Sequence, residues 1–402
     1  MGKEIELSTA ITDIAAGPFG SNLKVECFVP SGFPIIDGAN LKGYKVTDNI
    51  TKFVTEEKAR SLSRSIAHRG DVIVTISGTI GQIAYIPEDS LYDEYLCSQR
   101  QFRVSFDSSM VYVPYLVFYF HTFEGQNKIL SFANQTGVPA LSQPLKNFKK
   151  IRLCLPSLQE QRRIASIVET INDKIENNIK INDNLEQQAQ AYFQELFVDN
   201  ADPEWTTGTI SDLGTVVGGS TPSKAKPEYY TESGIAWITP KDLSINKSKF
   251  VSHGENDITE LGLRNSSASL MPEGTVLFSS RAPIGYIAIA AGEVTTNQGF
   301  KSVVPKPEIG TPFVYFFLKN TLPVIEGMAS GSTFKEVSGS TMKNVPAVIP
   351  DAETLAKFSD FCAPIFAQQR ILEEQNQSLA TLRDNLLPKL MSGEIDVSSV
   401  HL

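Results

Sequence analysis

The chain has 402 residues, of which 41% are hydrophobic and 20% charged, a balance typical of folded globular domains rather than disordered chains. This length exceeds what one hydrophobic core usually supports, so two or more domains are expected. The net charge of −9 argues against a simple basic nucleic-acid-binding protein, because any cations used for binding must be concentrated locally.

An internal repeat divides the chain into two similar halves. Residues 137–156 and 331–350 correspond at a constant offset of 194 without a gap, and both run from Gly to an apolar segment closed by Pro. Four further pairs of similar blocks occur in the same order in both halves: 11–17 with 210–219, 32–41 with 234–243, 70–86 with 274–290, and 98–102 with 297–300. Ordered agreement across five blocks predicts a duplication.

The first half predicts a β-rich domain over residues 1–156 and a helical region over 157–198. Short apolar runs between Gly, Pro, Ser and Thr clusters favour strands and turns, and the 78–81 segment is interpreted as a hairpin turn or a loop that approaches DNA backbone. The helix begins after Ser157, which has capping-box spacing to Glu160. Its apolar stripe has three- and four-residue spacing and includes Ile164, Ile171, Leu185 and Tyr192. Asn178 and Asn182 interrupt this stripe.

The second half repeats this plan, with a β-rich domain over residues 199–350 and a helical region over 351–396. Trp237 is expected in the core of the domain, with a stacking platform for a base as the alternative. Asp351 is the predicted helix N-cap and Gly393 the predicted stop. The apolar stripe includes Leu372, Leu379 and Leu386 and is interrupted by Asn376. Pro364 predicts a kink or a late start, because proline removes a helical hydrogen bond.

Two helices with narrow apolar stripes predict mutual pairing, although each helix could instead lie on its own domain. The expected fold is α+β: two β-rich domains with pseudo-twofold symmetry, separated by two long helices that form an antiparallel coiled coil. Asn182 and Asn376 would fix its register.

Sequence motifs for catalysis or metal binding are missing. The four cysteines and four histidines are scattered without metal-ligand spacing, and no phosphate-binding loop or adenine methyltransferase motif occurs. We therefore expect no catalytic or metal site in this chain. The unpaired cysteines, together with the lack of a signal-peptide pattern and of any long apolar run, predict a soluble, cytoplasmic protein.

Several segments resemble the specificity subunits of Type I restriction-modification systems. The most specific are LPSLQEQRRIASIVETINDKI at Leu155–Ile175 and LRDNLLPKLMSGEIDV at Leu382–Val397, and the Gly17–Lys24 block GPFGSNLK is also similar. The resemblance covers about residues 8–396. The second helical region departs from the family pattern, because its opening carries only Lys357 where the first carries Arg162 and Arg163.

The resemblance implies two target-recognition domains that bind double-stranded DNA and helical regions that bind two methylation subunits, joined by restriction/motor subunits. S-adenosylmethionine, ATP and Mg²⁺ would belong to those partners, and this chain would carry no cofactor. The expected helix and partner interface comprises Arg162, Arg163, Ile164, Ile171, Asn182, Leu185, Tyr192, Leu372, Asn376, Leu379 and Leu386.

Base recognition needs side chains with paired hydrogen-bonding groups, and contact with phosphates favours small polar residues. Loops that carry such residues give the predicted DNA-binding set. In the first half it comprises Ser21, Asn22, Lys24, Thr75, Ser77, Thr79, Gln99, Arg100, Gln101 and Thr136. In the second half it comprises Thr221, Ser223, Lys224, Thr239, Lys241, Ser279, Ser280, Arg281, Asn297, Gln298, Ser332, Thr333 and Lys335. The alternative function is a nonenzymatic coiled-coil adaptor that binds protein partners, which the overall acidity slightly favours.

Overall fold

The computed structural model describes residues 2–134, 137–281, 283–331 and 335–400. The chain divides into two compact units, residues 1–174 with 379–402, and residues 175–378. Each long helix contributes residues to both units.

The first unit contains two main sheets. Its strands are β1 Lys3–Glu6, β2 Ile11–Ala16, β3 Phe28–Val29, β4 Phe33–Ile36, β5 Phe53–Val54, β6 Ile66–His68, β7 Val72–Thr75, β8 Ile83–Tyr85, β9 Glu94–Cys97, β10 Gln101–Phe106, β11 Ala133–Asn134, β12 Ala140–Leu141 and β13 Arg152–Leu155. Its helices are α1 Glu56–Ser61, α2 Val113–His121, α3 Phe123–Leu130, α4 Pro144–Lys149 and the start of α5 Leu158–Gln194. One sheet has the order β2-β10-β7-β8 and the other β3-β5-β4-β9-β6.

The second unit repeats this topology. Its strands are β14 Thr206–Thr209, β15 Gly214–Gly218, β16 Tyr230–Thr231, β17 Ile235–Ile238, β18 Phe250–Val251, β19 Asn256–Ile258, β20 Val276–Ser280, β21 Ile284–Ala290, β22 Thr295–Thr296, β23 Lys301–Pro305 and β24 Pro346–Ile349. Its helices are α6 Ile210–Leu213, α7 Pro240–Ile245, α8 Glu260–Arg264, α9 Thr311–Met328, α10 Gly339–Lys343 and most of α11 Ala352–Ser392. The order β15-β23-β20-β21 reproduces β2-β10-β7-β8, and parallel pairing of β17 with β22 reproduces that of β4 with β9. The predicted duplication and the α+β class are confirmed.

The two long helices begin and end at the predicted signals. The Ser157 hydroxyl accepts a hydrogen bond from the Glu160 backbone N–H at 3.3 Å, and Asp351 accepts one from the Thr354 N–H at 2.9 Å. Gly393 ends α11 with a φ of +76°. Of the two outcomes predicted at Pro364, a kink or a late start, the late start is wrong, because α11 begins at Ala352 and continues through that proline. Its first turns bury Leu355 and Phe358 in the core, which stabilises the helix ahead of the proline.

The helices pair in opposite directions within each unit. In the first unit, the Arg383 guanidinium donates a hydrogen bond to Asn172 Oδ1 at 3.1 Å. In the second unit, Asn178 Nδ2 donates to Asn376 Oδ1 at 2.8 Å, and Gln369 Nε2 donates to the Asn182 carbonyl at 3.2 Å. Partner numbers fall along α11 as they rise along α5, so the antiparallel pairing is confirmed.

Of the asparagines that interrupt the stripes, Asn376 bonds the fully buried Asn178. Residues of the apolar stripes also pack in the domain cores, which was the alternative to helix pairing. Ile164 is buried in the core of the first unit with Leu387 and Leu390, which lie beside the half-buried Leu386. In the second unit, the Tyr192 ring lies 4.5 Å from that of Phe361, centroid to centroid, at an interplanar angle of 52°. Ile171 and Leu372 are buried, whereas Leu185 and Leu379 are half-buried.

Candidate nucleic-acid interface

Four loops that are distant in sequence converge at one end of the first unit. The Gly17 N–H donates to the Gln101 carbonyl at 2.8 Å, and the Ile76 N–H donates to the Arg100 carbonyl at 2.7 Å. The Gly78 N–H donates to the Pro139 carbonyl at 2.9 Å. We call residues 17–24, 75–82, 98–101 and 137–141 loop cluster 1. The sheet and its hairpins therefore bring together segments that were predicted separately.

Loop cluster 1 borders a cleft of about 500 Å³. Six predicted recognition residues line it: Thr75, Ser77, Thr79, Gln99, Arg100 and Gln101. Three of them, Thr79, Gln99 and Arg100, are exposed and available to a ligand. Ser21, Asn22 and Lys24 are also exposed, on the loop whose Leu23 and Val25 line the cleft.

Three cleft residues were missed by the sequence prediction: Asp37, Lys52 and Gln82. Lys52 Nζ lies 2.6 Å from Asp37 Oδ2, and Gln82 Nε2 donates to the Gly38 carbonyl at 3.2 Å. Burial alone would raise the pKa of Asp37, but Lys52 and the Ala39 N–H hold that pKa below its ordinary value. The sequence repeat predicted that residues 32–41 contain a strand. It could not show which distant loops lie next to the end of that strand.

Corresponding loops converge in the second unit. The Ser220 N–H donates to the Thr296 carbonyl at 2.9 Å, the Ser280 N–H to the Gly299 carbonyl at 2.7 Å, and the Val337 N–H to the Ser280 carbonyl at 2.9 Å. We call residues 219–224, 279–281, 297–299 and 335–337 loop cluster 2. The duplication has thus preserved the meeting point of the loops as well as the sheets.

A glycine at the same place in each half makes this convergence possible. A Cβ on Gly17 would lie 1.9 Å from the Ser98 carbonyl oxygen, and one on Gly219 would lie 2.0 Å from the Asn297 carbonyl oxygen. No other residue fits without moving the backbone, so both clusters require glycine at the end of the edge strand.

Comparison with known proteins identifies the family. The family of the Type I restriction modification DNA specificity domain matches residues 29–187 and again residues 203–382, which together make up most of the chain. The chain belongs to this Type I specificity family. The two matches fall on the two halves, so each half carries one specificity domain.

Individual relatives support the family membership. The chain is 38% identical to the Type I restriction enzyme MjaIX specificity subunit of Methanocaldococcus jannaschii over 45% of its length, and the alignment spans 44% of that subunit. It is 22% identical to the HindI specificity subunit of Haemophilus influenzae over 78% of its length and 84% of that subunit. The crystal structure of the Type I S subunit from M. genitalium has the same fold, with a TM-score of 0.60, 16% identity and coverage of 96% of this chain and 95% of that one.

Four residues predicted to bind DNA are buried in this specificity protein. Thr75 and Gln101 are 2% and 1% exposed, and their side chains bond to Gln82 and Ser98. Ser279 and Ser280 are fully buried. Their hydroxyls bond to the backbone: that of Ser279 to the Pro283 carbonyl and that of Ser280 to the Gly299 carbonyl. We therefore correct the prediction that these four side chains contact DNA directly, and assign them to support of the loops. The strands that carry Thr75, Ser279 and Ser280 are buried on both faces, so neither face of them reaches a ligand.

Several of the other predicted residues of the second half already form contacts within the protein. The Thr221 hydroxyl donates to Gln298 Oε1, and Asn297 Oδ1 accepts from the Gly299 N–H. Thr239 caps α7, and Lys241 pairs with Glu255 at 2.6 Å. Ser223, Lys224 and Lys335 are exposed. Thr136, Ser332 and Thr333 lie outside the described residues. For the exposed members of both sets, contact with DNA stays a prediction.

The two clusters differ in charge. Arg100 has no carboxylate within 4.0 Å in the described ranges, so loop cluster 1 presents a free guanidinium. In loop cluster 2, Arg281 lies 3.6 Å from the Glu336 carboxylate, and Lys301, at the adjoining start of β23, lies 3.9 Å from it. Burial lowers the pKa of Lys301, partly offset by Glu336. The halves share a plan but present different electrostatic surfaces.

Within the described part of the chain, no group of three or more His, Cys, Asp or Glu residues could hold a metal ion. All four cysteines are free. None of the described helices is both long enough and apolar enough to span a membrane.

Proposed function

We propose that this chain recognises a bipartite, asymmetric target in double-stranded DNA, with one half-site bound by each loop cluster. The observation that carries the proposal is the convergence, in both halves, of loops rich in groups that pair with base edges. Cluster 1 offers Gln99 and Arg100, whereas cluster 2 offers Gln298 beside Thr221 and an Arg281 held near Glu336. Different side chains on equivalent loops favour two different half-sites.

Methylome sequencing of a host that carries this chain with its methylation partner tests the proposal. The expected result is one methylated motif with two unlike half-sites separated by an unrecognised spacer of about one helical turn of DNA. A continuous or perfectly palindromic motif would contradict it. If the complex shifts no DNA in a gel assay with the methylated motif, the adaptor function is supported instead.

A guanidinium at loop cluster 1 predicts recognition of guanine. Replacing Arg100 with Ala in the complex should reduce discrimination for one guanine of the first half-site by about 1–3 kcal/mol, because Arg bonds both O6 and N7 of guanine. The measurement compares binding to the target and to single-base variants. Arg60→Ala is the control, since Arg60 pairs with Glu56 and Glu94 on α1 and β9. An equal loss of affinity for every sequence would assign Arg100 to phosphate contact.

The complex is proposed to contain two methylation subunits that dock on the helical regions, with restriction/motor subunits added for cleavage. S-adenosylmethionine, ATP and Mg²⁺ would be bound by those subunits. The support in this chain is a second cleft of about 500 Å³ beside the start of α5. It is lined by side chains of both charges, including Lys45, Arg162, Glu169 and Asp173. Burial raises the pKa of Glu169.

Charge reversal at this cleft is expected to weaken assembly. Arg162 is exposed, and its guanidinium lies 4.7 Å from the Tyr112 ring centroid, so Arg162→Glu changes the surface without opening the core. Arg163 is a poorer site for the test, because its Nε is buried without a hydrogen-bond partner among the described residues. We expect about tenfold weaker binding of the methylation subunit (~1.4 kcal/mol) by sedimentation or calorimetry. Arg264→Glu on α8 is the control and should leave binding of the methylation subunit unchanged. If Arg162→Glu binds that subunit as tightly as the wild type does, this cleft is not the docking site.

A further inference from the structure

We infer that helix α4 of the first recognition domain is a phosphate-binding element that holds the DNA backbone beside loop cluster 1. The inference rests on the proposed function, and it assigns a binding surface to three residues: Lys146, Lys149 and Lys150. We call them the lysine patch. All three are exposed, and none has a carboxylate within 4.0 Å in the described part of the chain.

The packing of α4 forces the patch outward. Phe148 is 3% exposed, and its ring lies 5.3 Å from that of Phe102 and 5.6 Å from that of Phe120. Because this ring anchors one side of a short helix in the core, the lysines before and after it face solvent. The patch is thus fixed to the domain by an aromatic contact that does not depend on the lysines.

The chain that leads into α4 belongs to loop cluster 1. Ala140 forms a bridge with Ser77, and the Leu141 N–H donates to the Ile76 carbonyl at 2.8 Å. Helix α4 starts at Pro144 and has six residues, which rise about 9 Å. DNA bound at loop cluster 1 would therefore have its backbone within reach of the lysine patch.

Charge complementarity selects the phosphate backbone as the ligand. A duplex carries one negative charge per ~1.7 Å of its axis, and ammonium groups bind phosphates as point charges. Residues 1–156 have 16 basic and 15 acidic side chains, so the net charge of +1 becomes −2 without the three lysines. The patch therefore supplies the attraction that the remainder of the domain lacks.

The second domain has no equivalent patch. At the offset of 194, Lys343 corresponds to Lys149, whereas Ser340 and Asn344 stand where Lys146 and Lys150 would be. The nearby Arg281 and Lys301 share the Glu336 carboxylate. The first half should therefore contribute more of the salt-sensitive affinity than the second.

The test is the salt dependence of DNA binding by the complex of this chain with its methylation subunits. In the variant Lys146→Gln, Lys149→Gln, Lys150→Gln, the slope of log K against log salt should fall by ~0.9 for each phosphate that is no longer neutralised, or ~2.7 for all three. Specific and nonspecific DNA should lose affinity by the same factor, and the methylated motif should not change. The three Lys→Arg substitutions should restore the slope.

The control variant removes the same charge from the same domain: Lys3→Gln, Lys42→Gln, Arg64→Gln. These exposed residues lie outside loop cluster 1 and α4. An unchanged slope in the patch variant, or an equal fall in the control, would overturn the inference. Loss of subunit assembly with an unchanged slope would assign the patch to a protein partner. If the wild-type complex binds no DNA, the proposed function fails and the inference with it.

Discussion

Replacing Glu186 with Ala is expected to lower the free energy of unfolding of the second unit by about 3–5 kcal/mol, because it leaves two lysines without their shared carboxylate. Glu186 Oε2 lies 2.8 Å from Lys249 Nζ, and its Oε1 lies 2.5 Å from Lys319 Nζ. Lys249 is 7% exposed, and its ammonium lies 3.4 Å from the Phe366 ring centroid. Water cannot solvate that ammonium once its partner is removed.

The cluster joins the second recognition domain to the helix pair within this unit. Lys249 Nζ also donates to Gln369 Oε1 at 2.9 Å, and Glu373 accepts from the Lys249 and Phe250 N–H groups at 2.8 and 3.0 Å. Four segments therefore meet at one set of satisfied polar groups: α5, the start of β18, α9 and α11. Removing one member of a satisfied buried network therefore costs more free energy of unfolding than removing one member of a surface ion pair.

The same cluster should make the free energy of unfolding fall at acid pH. Burial would raise the pKa of Glu186, but Lys249 and Lys319 lower that pKa to about 2, below the ordinary value of 4.5. Since the folded pKa is depressed, the carboxylate stabilises the fold above about pH 4.5, and this contribution is lost as the pH falls towards 2. Burial among aromatic rings lowers the pKa of Lys249 to about 8, so at neutral pH the pair is ionised.

Denaturant unfolding followed by tryptophan fluorescence measures this effect, because Trp205 and Trp237 both lie in the second unit. The difference between wild type and Glu186→Ala should shrink from pH 7 to pH 3. Glu255→Ala is the matched control: its pair with Lys241 is 2.6 Å long but 61% exposed on both sides, and its loss should cost below ~1 kcal/mol. Equal effects of the two substitutions would show that the buried cluster does not hold the unit together.

The sequence predicted the architecture well where the signal was local or repeated. The offset of 194 identified the duplication, and Ser157, Asp351 and Gly393 marked helix ends that the structure confirms. Caps and turns depend on residues a few positions apart, so their chemistry is visible in the sequence. The late start expected at Pro364 failed because burial of distant side chains outweighed the absence of one hydrogen bond.

The site was less predictable, because contacts between distant loops leave no spacing pattern. The loops rich in polar residues do converge, yet Ser279 and Ser280 face the interior and Gln82 joins the cleft without having been predicted. Likewise, the sequence shows that Asn178 and Asn182 both interrupt the first stripe, one helical turn apart, but it does not show which of them bonds Asn376. The Lys249 cluster could not be predicted, because it depends on the relative positions of four segments that are distant in the sequence.

Exchanging residues 1–156 for the corresponding domain of another family member should replace one half-site completely and leave the other unchanged. The first and last strands of this domain are neighbours: β1 pairs with β13, which brings Lys3 opposite Leu155. The second domain closes in the same way, with Thr206 opposite Ile349. A domain whose ends are adjacent can be replaced without changing the path of the neighbouring chain.

The contact with α5 sets the condition for a successful exchange. Gln161 is fully buried, accepts a hydrogen bond from the Tyr112 N–H at 2.8 Å, and donates to the Met110 carbonyl at 3.0 Å. These partners are backbone groups, so an incoming domain of different sequence can supply them. Its apolar surface must still cover Ile164 and Val168, which are buried in the first core.

Methylome sequencing of the exchanged protein with its methylation partner gives the result directly. The reciprocal exchange of residues 206–349 is the control and should alter only the second half-site. If either exchange changes both half-sites together, recognition is not divided between the two loop clusters. If the exchanged chain is methylation-inactive, a pull-down of the methylation subunit separates failed assembly at α5 from failed recognition, because Gln161 and the helices are unchanged in the variant.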